Sequence, residues 1–139
     1  RAVEKNSYRA DVLIMSAAVA DFTVKEVYRG KLKKSGSVPR LELNPTKDIL
    51  KAISQKRKKP LLVGFAAEFG DPLAEAQRKL KEKGLQLVVG NDISQPGSGF
   101  DAELNQAVLV EASSFERLPL LSKAELAEKI LDKVEQLLH

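Results

Sequence analysis

The stretch that decides the fold is residues 61–89, which read LLVGFAAEFGDPLAEAQRKLKEKGLQLVV. Two short apolar runs, Leu61–Phe65 and Leu85–Val89, are typical of buried strands. The Asp-Pro pair at 71–72 predicts the start of a helix between them, and Gly84 predicts its end. A strand, a helix and a second strand in this order predict two parallel strands joined by a right-handed crossover.

The same alternation of apolar runs and helix signals extends towards the N-terminus. A buried strand is predicted at Val12–Met15 and a short strand at Leu41–Leu43, with an irregular loop over residues 23–40 between them. Asp48 is suited to cap a helix that runs to about Gln55. The strand at Val12–Met15 and the helix that follows Asp48 therefore extend the predicted alternation of strands and helices.

The C-terminal part adds an antiparallel pair and a last helix. Gln106–Glu111 and Arg117–Leu120 are predicted to pair antiparallel, and Ser122 with Glu125 forms a capping box that opens the final helix. Together the segments predict an α/β fold: a three-layer, Rossmann-like, mostly parallel sheet with helices on both faces and a small antiparallel extension. One domain is expected over residues 1–139.

The composition excludes several kinds of chemistry. The chain has no cysteine, which excludes disulfides, thiolate zinc sites and a cysteine nucleophile, and its only histidine is His139. A Ser-His-Asp triad and a multi-histidine metal site are therefore excluded, and no metal ligand is identified. The formal net charge of +4 favours anionic small molecules over nucleic acid. No apolar run approaches the roughly 20 residues that span a bilayer, so we expect no membrane partner. Because the chain has no disulfide that would favour export, we expect a cytoplasmic location.

Three segments are predicted to follow the carboxyl ends of strands: Ser16–Asp21, Phe65–Glu68 and Gly90–Asp92. Open sheets of this kind bind ligands at that edge, so we expect the three segments to form one site. The small residues before Asp21 allow a ligand to approach the backbone closely, because they carry no bulky side chain.

A group of lysines follows the first of these segments, at Lys31, Lys33 and Lys34. Clustered ammonium groups suit phosphate, which indicates a phosphorylated ligand such as a nucleotide. Neither a G-x-G-x-x-G nor a G-x-x-x-x-G-K-[ST] phosphate loop is present. The alternative for these lysines is a solvated loop, and Lys79 and Lys83 are equally consistent with the solvent side of a helix.

Six short motifs stand in order along the chain. They are Ser16–Phe22, Lys31–Lys34, Leu41–Leu43, Asp48–Leu50, Val63–Glu68 and Asn91–Asp92. The set resembles phosphopantothenate–cysteine ligase, also called phosphopantothenoylcysteine synthetase, which in most bacteria is the C-terminal half of a bifunctional coenzyme A biosynthesis protein. The resemblance implies that the carboxylate of 4′-phosphopantothenate attacks the α-phosphate of CTP, giving an acyl-cytidylate and pyrophosphate. The amine of cysteine then displaces CMP, and Mg²⁺ accompanies the nucleotide.

The resemblance also implies roles for individual residues. Lys31 matches the family lysine that is needed to form the acyl-cytidylate, and Lys33 and Lys34 match the flap loop that closes over the site. Phe65 matches a residue that packs near the cytosine. The other positions matched to nucleotide contacts are Met15, Ser16, Ala17, Asp21, Lys47, Asp48, Ile49, Leu50, Lys79 and Lys83.

Partners and alternatives follow from the same resemblance. It implies a homodimer and a fused or associated flavin-dependent decarboxylase. We expect the dimer to form through the antiparallel segments around residues 106–120. The family's N-terminal segment, with a glycine-rich turn and an asparagine for the second step, is expected to be missing here, so a nucleotide-binding domain without catalysis is the alternative function. A short-chain-dehydrogenase-like fragment is disfavoured, because Tyr8 and Tyr28 are followed at the required spacing by Val12 and Leu32 instead of lysine.

Overall fold

The computed structural model describes residues 2–31, 40–94 and 104–139. The chain forms two compact units, one of residues 1–16 with 49–139 and the other of residues 17–48. In chain order the elements are α1 (Ala2–Asn6), a 3-10 turn (Ser7–Arg9), β1 (Val12–Ile14), β2 (Phe22–Val24), β3 (Leu43–Pro45), α2 (Ile49–Ser54), β4 (Leu61–Glu68), α3 (Leu73–Lys83), β5 (Leu87–Asp92), β6 (Leu104–Val110), β7 (Phe115–Arg117), β8 (Leu121–Ser122) and α4 (Lys123–Leu138). The single domain expected over residues 1–139 stays a prediction.

The larger unit is built on one sheet with the strand order β1–β4–β5–β6–β7, and β8 also pairs with β6. Strands β1, β4 and β5 run parallel to one another. Strand β6 is antiparallel to β5, and both β7 and β8 are antiparallel to β6. This topology confirms the predicted α/β fold with a small antiparallel extension.

Helices α2 and α3 cover one face of the sheet. Leu50 and Ile53 of α2 and Ala76 and Leu80 of α3 are buried in one cluster with strand residues such as Val88. These helical positions are three or four residues apart, so they lie on one side of each helix. Burial of the larger of these side chains stabilises the fold by about 1.5–3 kcal/mol each.

Helix α4 covers the opposite face. It buries Leu126, Ile130 and Val134, which are four residues apart, against strand residues that include Val63 and Leu109. Because successive side chains of a strand point to opposite faces, each central strand contributes to both clusters. The three-layer, Rossmann-like arrangement is thereby confirmed.

Two glycines are required by the packing of α3. Gly84 ends the helix with φ +64°, a left-handed conformation in which a Cβ is unfavourable. Gly90 lies in β5, where an added Cβ would stand 3.0 Å from the Cβ of Pro72 and 2.9 Å from the Cγ1 of Val108. The missing side chain at position 90 therefore allows the start of α3 to lie directly on the sheet.

The predicted capping box at the start of α4 is confirmed. The Oγ of Ser122 accepts a hydrogen bond from the Glu125 N–H at 3.2 Å. In return, Oε2 of Glu125 accepts from the Ser122 hydroxyl at 2.7 Å and from the Ser122 N–H at 2.8 Å. These bonds, the hydroxyl first and the backbone N–H second, favour the carboxylate and lower the pKa of Glu125.

The smaller unit contains a two-stranded antiparallel ribbon of β2 and β3. Phe22 lies opposite Pro45 in its register. The ribbon is extended at both ends, because the Lys25 N–H donates to the carbonyl of Glu42 and the Thr46 N–H donates to the carbonyl of Asp21. All six residues of the two strands are exposed within the structure.

The ribbon corrects two predictions. The strand predicted at Leu41–Leu43 lies at Leu43–Pro45 instead. The start of the loop predicted over residues 23–40 is part of the strand Phe22–Val24. Both errors have one cause: pairing with a partner some twenty residues away decides these short strands, and the local pattern does not show that partner.

Boundaries in the larger unit also differ from the predictions. The strand predicted at Leu85–Val89 spans Leu87–Asp92, because the Leu85 N–H still bonds to the helix carbonyl of Leu80. The first strand ends at Ile14 and is only half-buried, since it is an outer strand of the sheet.

Helix and strand ends shift by small amounts elsewhere. Helix α3 begins at Leu73 with Pro72 as its N-cap, while the side chain of Asp71 accepts the Leu73 N–H at 3.1 Å. The second strand of the antiparallel pair, predicted at Arg117–Leu120, is Phe115–Arg117. In the ranges 2–31, 40–94 and 104–139, no helix is both long and apolar enough to cross a membrane.

Candidate active site at the carboxyl edge of the sheet

The carboxyl ends of β1, β4 and β5 meet at one edge of the larger unit, because the three strands are parallel. Met15 adds one hydrogen bond to the pairing of β1 with β4, because its N–H donates to the carbonyl of Val63 at 2.9 Å. Strand β4 extends beyond this point to Glu68, past the end of β1. On the side that faces β1, the backbone carbonyls of β4 from Phe65 onward therefore have no partner from β1 and can accept hydrogen bonds from other donors.

Lys79 is one such donor. Its Nζ, on α3, donates to the carbonyl oxygen of Phe65 at 3.3 Å in a partly buried contact. The side chain of Phe65 packs with the cluster beneath α4, on the opposite face from α3. The structure thus brings together two residues predicted to bind nucleotide, with the ammonium group of Lys79 held at the edge of the sheet.

The remaining predicted residues of the larger unit differ in their exposure. Lys83 lies one helical turn beyond Lys79 and is half-buried. Ile49 and Leu50 open α2, but the side chain of Leu50 is buried in the core, so only its backbone can face a ligand. Ser16 follows Met15 and is exposed.

The smaller unit carries the other predicted residues. Ala17, Asp21, Lys31 and Lys47 are exposed, and Asp48 is half-buried. The residues predicted to form the flap, Lys33 and Lys34, lie outside the described residues. A single site that joins residues of both units stays a prediction.

A cluster around Asp92 was missed by the sequence reasoning. One oxygen of Asp92 accepts the Gly70 N–H at 3.0 Å, the Ser94 N–H at 2.8 Å and the Ser94 hydroxyl at 2.6 Å. These bonds tie the loop after β4 to the end of β5. The only local signal was the position of Asp92 near a predicted strand end, because its partner Gly70 is 22 residues away.

An ion pair on the same edge was also missed. Arg117 on β7 binds both carboxylate oxygens of Asp71, at 3.1 and 2.8 Å. The guanidinium lowers the pKa of Asp71, and the carboxylate raises the pKa of Arg117. The pair lines a cleft of about 300 Å³ together with Asp92 and Gln106. Both side chains are exposed, so the pair contributes little to stability.

Asn91, next to Asp92, carries an unused acceptor. Its Oδ1 is buried and has no hydrogen-bond partner. Buried acceptors in folded proteins are almost always paired, so this atom requires an explanation.

No group of three or more histidine, cysteine, aspartate or glutamate side chains is placed to hold a metal in the described part of the chain.

Fold and edge together define a class of protein: an open, Rossmann-like α/β domain, a kind of domain in which ligands usually bind at the carboxyl ends of the parallel strands. Sequence comparison then identifies the family. The chain belongs to the family described as the DNA/pantothenate metabolism flavoprotein C-terminal domain, which matches residues 1–138. The resemblance seen in the six motifs is thereby confirmed.

Individual relatives are consistent with this family. The chain is similar to the coenzyme A biosynthesis bifunctional protein CoaBC of Bacillus subtilis (strain 168), with 42% identity over 129 residues that cover 92% of the chain and 32% of the relative. It is also similar to a solved C-terminal domain of coenzyme A biosynthesis bifunctional protein CoaBC, at 34% identity and a TM-score of 0.76, covering 99% of this chain and 59% of that one. The chain spans about a third of the length of the Bacillus relative.

A more distant solved structure shares the fold. The DNA/pantothenate metabolism flavoprotein from Streptococcus pneumoniae matches with a TM-score of 0.79 at 21% identity, covering 97% of this chain and 67% of that chain. At this identity the likeness supports the fold alone.

Proposed function

We propose that this protein acts in coenzyme A biosynthesis as a CTP-dependent phosphopantothenate–cysteine ligase. In the first step a carboxylate oxygen of 4′-phosphopantothenate attacks the α-phosphorus of CTP, and the bond to the bridging oxygen breaks to release pyrophosphate. In the second step the amine of cysteine attacks the acyl carbon, loses a proton and expels CMP. The product is an amide, and one CTP is consumed.

Lys31 is the residue we assign to the first step. Negative charge grows on the α-phosphate and on the departing pyrophosphate, and a fixed ammonium group stabilises that charge more in the transition state than in the ground state. Lys31 is exposed in the smaller unit. Lys33 and Lys34 are proposed to close over the site and to exclude water from the hydrolysable acyl-cytidylate.

The nucleotide is proposed to bind at the carboxyl edge of the sheet. The observation that carries this assignment is the ammonium group of Lys79 held at the Phe65 carbonyl, beyond the end of β1, in a member of this family. Lys83 is four residues further along the same helix, so both cations serve one side of the ligand. Met15, Ser16, Ala17, Asp21, Lys47, Asp48, Ile49 and Leu50 are the further proposed contacts.

Mg²⁺ is proposed to enter as part of the substrate, bound to the triphosphate of CTP. The described residues offer no cluster of three candidate ligands for a metal. Mg²⁺ usually keeps several waters and binds nucleotides through their phosphates. The protein's own cations supply the remaining charge compensation.

The assignment of Lys31 is tested by replacing it with glutamine. Pyrophosphate release from CTP in the presence of 4′-phosphopantothenate is expected to fall by at least about a hundredfold in Lys31→Gln, because electrostatic groups at a transition state contribute on that scale. Lys25→Gln is the matched control: Lys25 is an exposed lysine of the same unit, 2.6 Å from Glu42, and its removal is expected to leave the rate within about twofold. Equal rates in the two variants would contradict the role of Lys31.

Partners follow from the same proposal. Cysteine and 4′-phosphopantothenate are the small-molecule substrates, a homodimer is the expected assembly, and a flavin-dependent decarboxylase is the expected fused or associated partner. A cytoplasmic location is proposed, since the substrates are intermediates of central metabolism.

A further inference from the structure

Four cations follow one another in the connection between α2 and β4, at Lys56–Lys59. All four are exposed, and the segment is termed the basic turn. It leads into the start of β4, which pairs with the start of β1, so it lies at the amino edge of the sheet. This edge is opposite the one where the nucleotide is proposed to bind. Adjacent like charges repel one another, so the fold gains nothing from their number.

Two of the four cations have a role within the fold. Nζ of Lys59 donates to the last carbonyl of α2 at 2.7 Å, and Nζ of Lys56 donates to a carbonyl of α1 at 3.2 Å. Cations stabilise the C-terminal end of a helix, but this effect falls off within the last turn. Arg57 and Lys58 lie beyond that turn and form no hydrogen bond or ion pair within the described residues. The fold therefore accounts for Lys56 and Lys59 but not for Arg57 and Lys58.

The segment before β1 adds an arginine and a tyrosine to this edge. The Leu61 N–H, which follows the basic turn, donates to the carbonyl of Asp11 at 2.8 Å, so the two segments lie side by side where they enter the sheet. The guanidinium of Arg9 lies over the ring of Tyr8, 5.2 Å from its centroid, and Nε donates to the hydroxyl at 2.7 Å. Both side chains are exposed. The amino edge thus presents arginine, lysine and tyrosine together.

The make-up of this surface favours one kind of acidic partner. Proteins that bind nucleic acid commonly make about 6–10 phosphate contacts, more than Arg57, Lys58 and Arg9 can supply. Stable attachment to a membrane takes a second signal besides a basic patch, such as exposed apolar side chains, and residues 55–60 include no exposed large hydrophobic residue. Protein interfaces, in contrast, are enriched in arginine and tyrosine, and a guanidinium forms paired hydrogen bonds with a carboxylate.

We propose that the basic turn, together with Arg9 and Tyr8, is a docking surface for an acidic segment of a partner protein. Arg57 and Lys58 bind carboxylates of that segment, while Lys56 and Lys59 hold the turn against α1 and α2. Because the surface lies at the amino edge, a docked partner leaves the carboxyl edge accessible to ligands. The inference is independent of the proposed function.

The test is the binding of a fluorescently labelled octaglutamate peptide, followed by anisotropy at low and at physiological salt. We expect the dissociation constant to rise about tenfold in the double variant Arg57→Gln with Lys58→Gln, because charge-assisted hydrogen bonds are lost. The matched control, Lys123→Gln with Lys129→Gln, removes the same charge from exposed positions of α4 and should stay within about twofold. Saturating CTP should leave the peptide bound, since the nucleotide is proposed to occupy the other edge.

No binding of the peptide by the wild-type protein, or equal affinities in the two double variants, would overturn the proposal. Displacement of the peptide by CTP would do the same, because it would place the peptide among the cations proposed to bind nucleotide. An oligothymidylate and phosphatidylserine vesicles are titrated in parallel. If either binds more tightly than the peptide and depends on Arg57 and Lys58, the partner is a nucleic acid or a membrane and the proposal is wrong.

Thermal unfolding separates docking from a structural role. The Arg57→Gln, Lys58→Gln variant is expected to melt at or above the wild-type temperature, because it loses two like charges and no bond within the described residues. A lower melting temperature with unchanged affinity for the peptide would assign both cations to the fold alone. Such a result would leave the proposed function untouched, since it concerns the other edge of the sheet.

Discussion

Lys79, which we propose to bind nucleotide, contacts the backbone at the carboxyl edge of the sheet. Its side chain spans from α3 to the Phe65 carbonyl, so the ammonium group is held in place before any ligand arrives. A preorganised cation loses little conformational freedom on binding phosphate, which is the condition for a strong charge-assisted contact.

Replacing Lys79 with glutamine should therefore weaken nucleotide binding. We expect the dissociation constant for CTP to rise about tenfold in Lys79→Gln, because a hydrogen bond from a charged donor is lost. Lys81→Gln is the control, since Lys81 is an exposed lysine on the same helix, two residues away. Isothermal titration of the two variants would contradict the prediction if their affinities were equal.

The sequence could predict some of these residues and not others. The four-residue spacing of Lys79 and Lys83 is enough to predict that they share a helix face. The resemblance to the family is what predicts that they bind nucleotide. The spacing could not show that Leu50 is buried, because that depends on helix α3 and strand β4 packing over it. The unpaired oxygen of Asn91 was equally out of reach, since burial on both sides comes from strands elsewhere in the chain.

Among the elements, α4 is the one most fully determined by its own sequence. Its start is fixed by hydrogen bonds between Ser122 and Glu125, three residues apart. Its buried stripe of Leu126, Ile130 and Val134 follows from a four-residue spacing. Local signals of this kind need no knowledge of the remaining fold.

The capping box gives a prediction for stability and its pH dependence. At pH 7, Ser122→Ala should lower the free energy of unfolding by about 1 kcal/mol, through loss of the Oγ cap. The lowered pKa of Glu125 makes its bonds to Ser122 stabilising above the unfolded pKa of a glutamate, and that contribution disappears as the pH falls through the lower folded value. The difference between wild type and variant should therefore narrow below about pH 4.

Urea unfolding at pH 7, 5 and 3 measures this difference. Ser113→Ala is the control, since Ser113 is an exposed serine in the turn between β6 and β7. A gap between wild type and Ser122→Ala that stayed constant to pH 3 would mean that the bond from the Ser122 hydroxyl to Glu125 contributes nothing to the cap.

The short strands show where local signals end. Strand β5 continues through Asn91 and Asp92 because β4 and β6 pair with it on both sides. Strands β2 and β3 exist only as each other's partner. For such elements the deciding interaction is non-local, and a pattern of alternating residues cannot locate it to within two residues.

For the whole molecule, the expected homodimer is the main prediction that stays untested. Strand β7 is the last strand of the sheet in the described order, so its outer backbone edge has no neighbour among the described strands. Phe115 on this strand is 50% exposed. An open edge with an exposed aromatic residue is a surface that proteins usually cover, which agrees with the homodimer expected through residues 106–120.

Sedimentation velocity at micromolar concentration tests this assembly. We expect a dimer for the wild-type protein and a shift towards monomer in Phe115→Glu, because a charge at an interface must be desolvated. Leu131→Glu is matched to it, since Leu131 on α4 is also 50% exposed, and it should leave the dimer intact. A wild-type monomer, or equal effects of the two substitutions, would remove β7 from the interface.

Gly90 has a consequence that reaches beyond its own strand. The first turn of α3 rests where a side chain at position 90 would otherwise stand. Helix α3 is one continuous helix of eleven residues. A methyl group added at position 90, beneath its first turn, would therefore be expected to tilt the whole helix. Lys79 would move with the helix and lose its contact with the Phe65 carbonyl. The position of the Lys79 ammonium group therefore depends on Gly90, a residue that has no side chain and that would not be found among the ligand contacts.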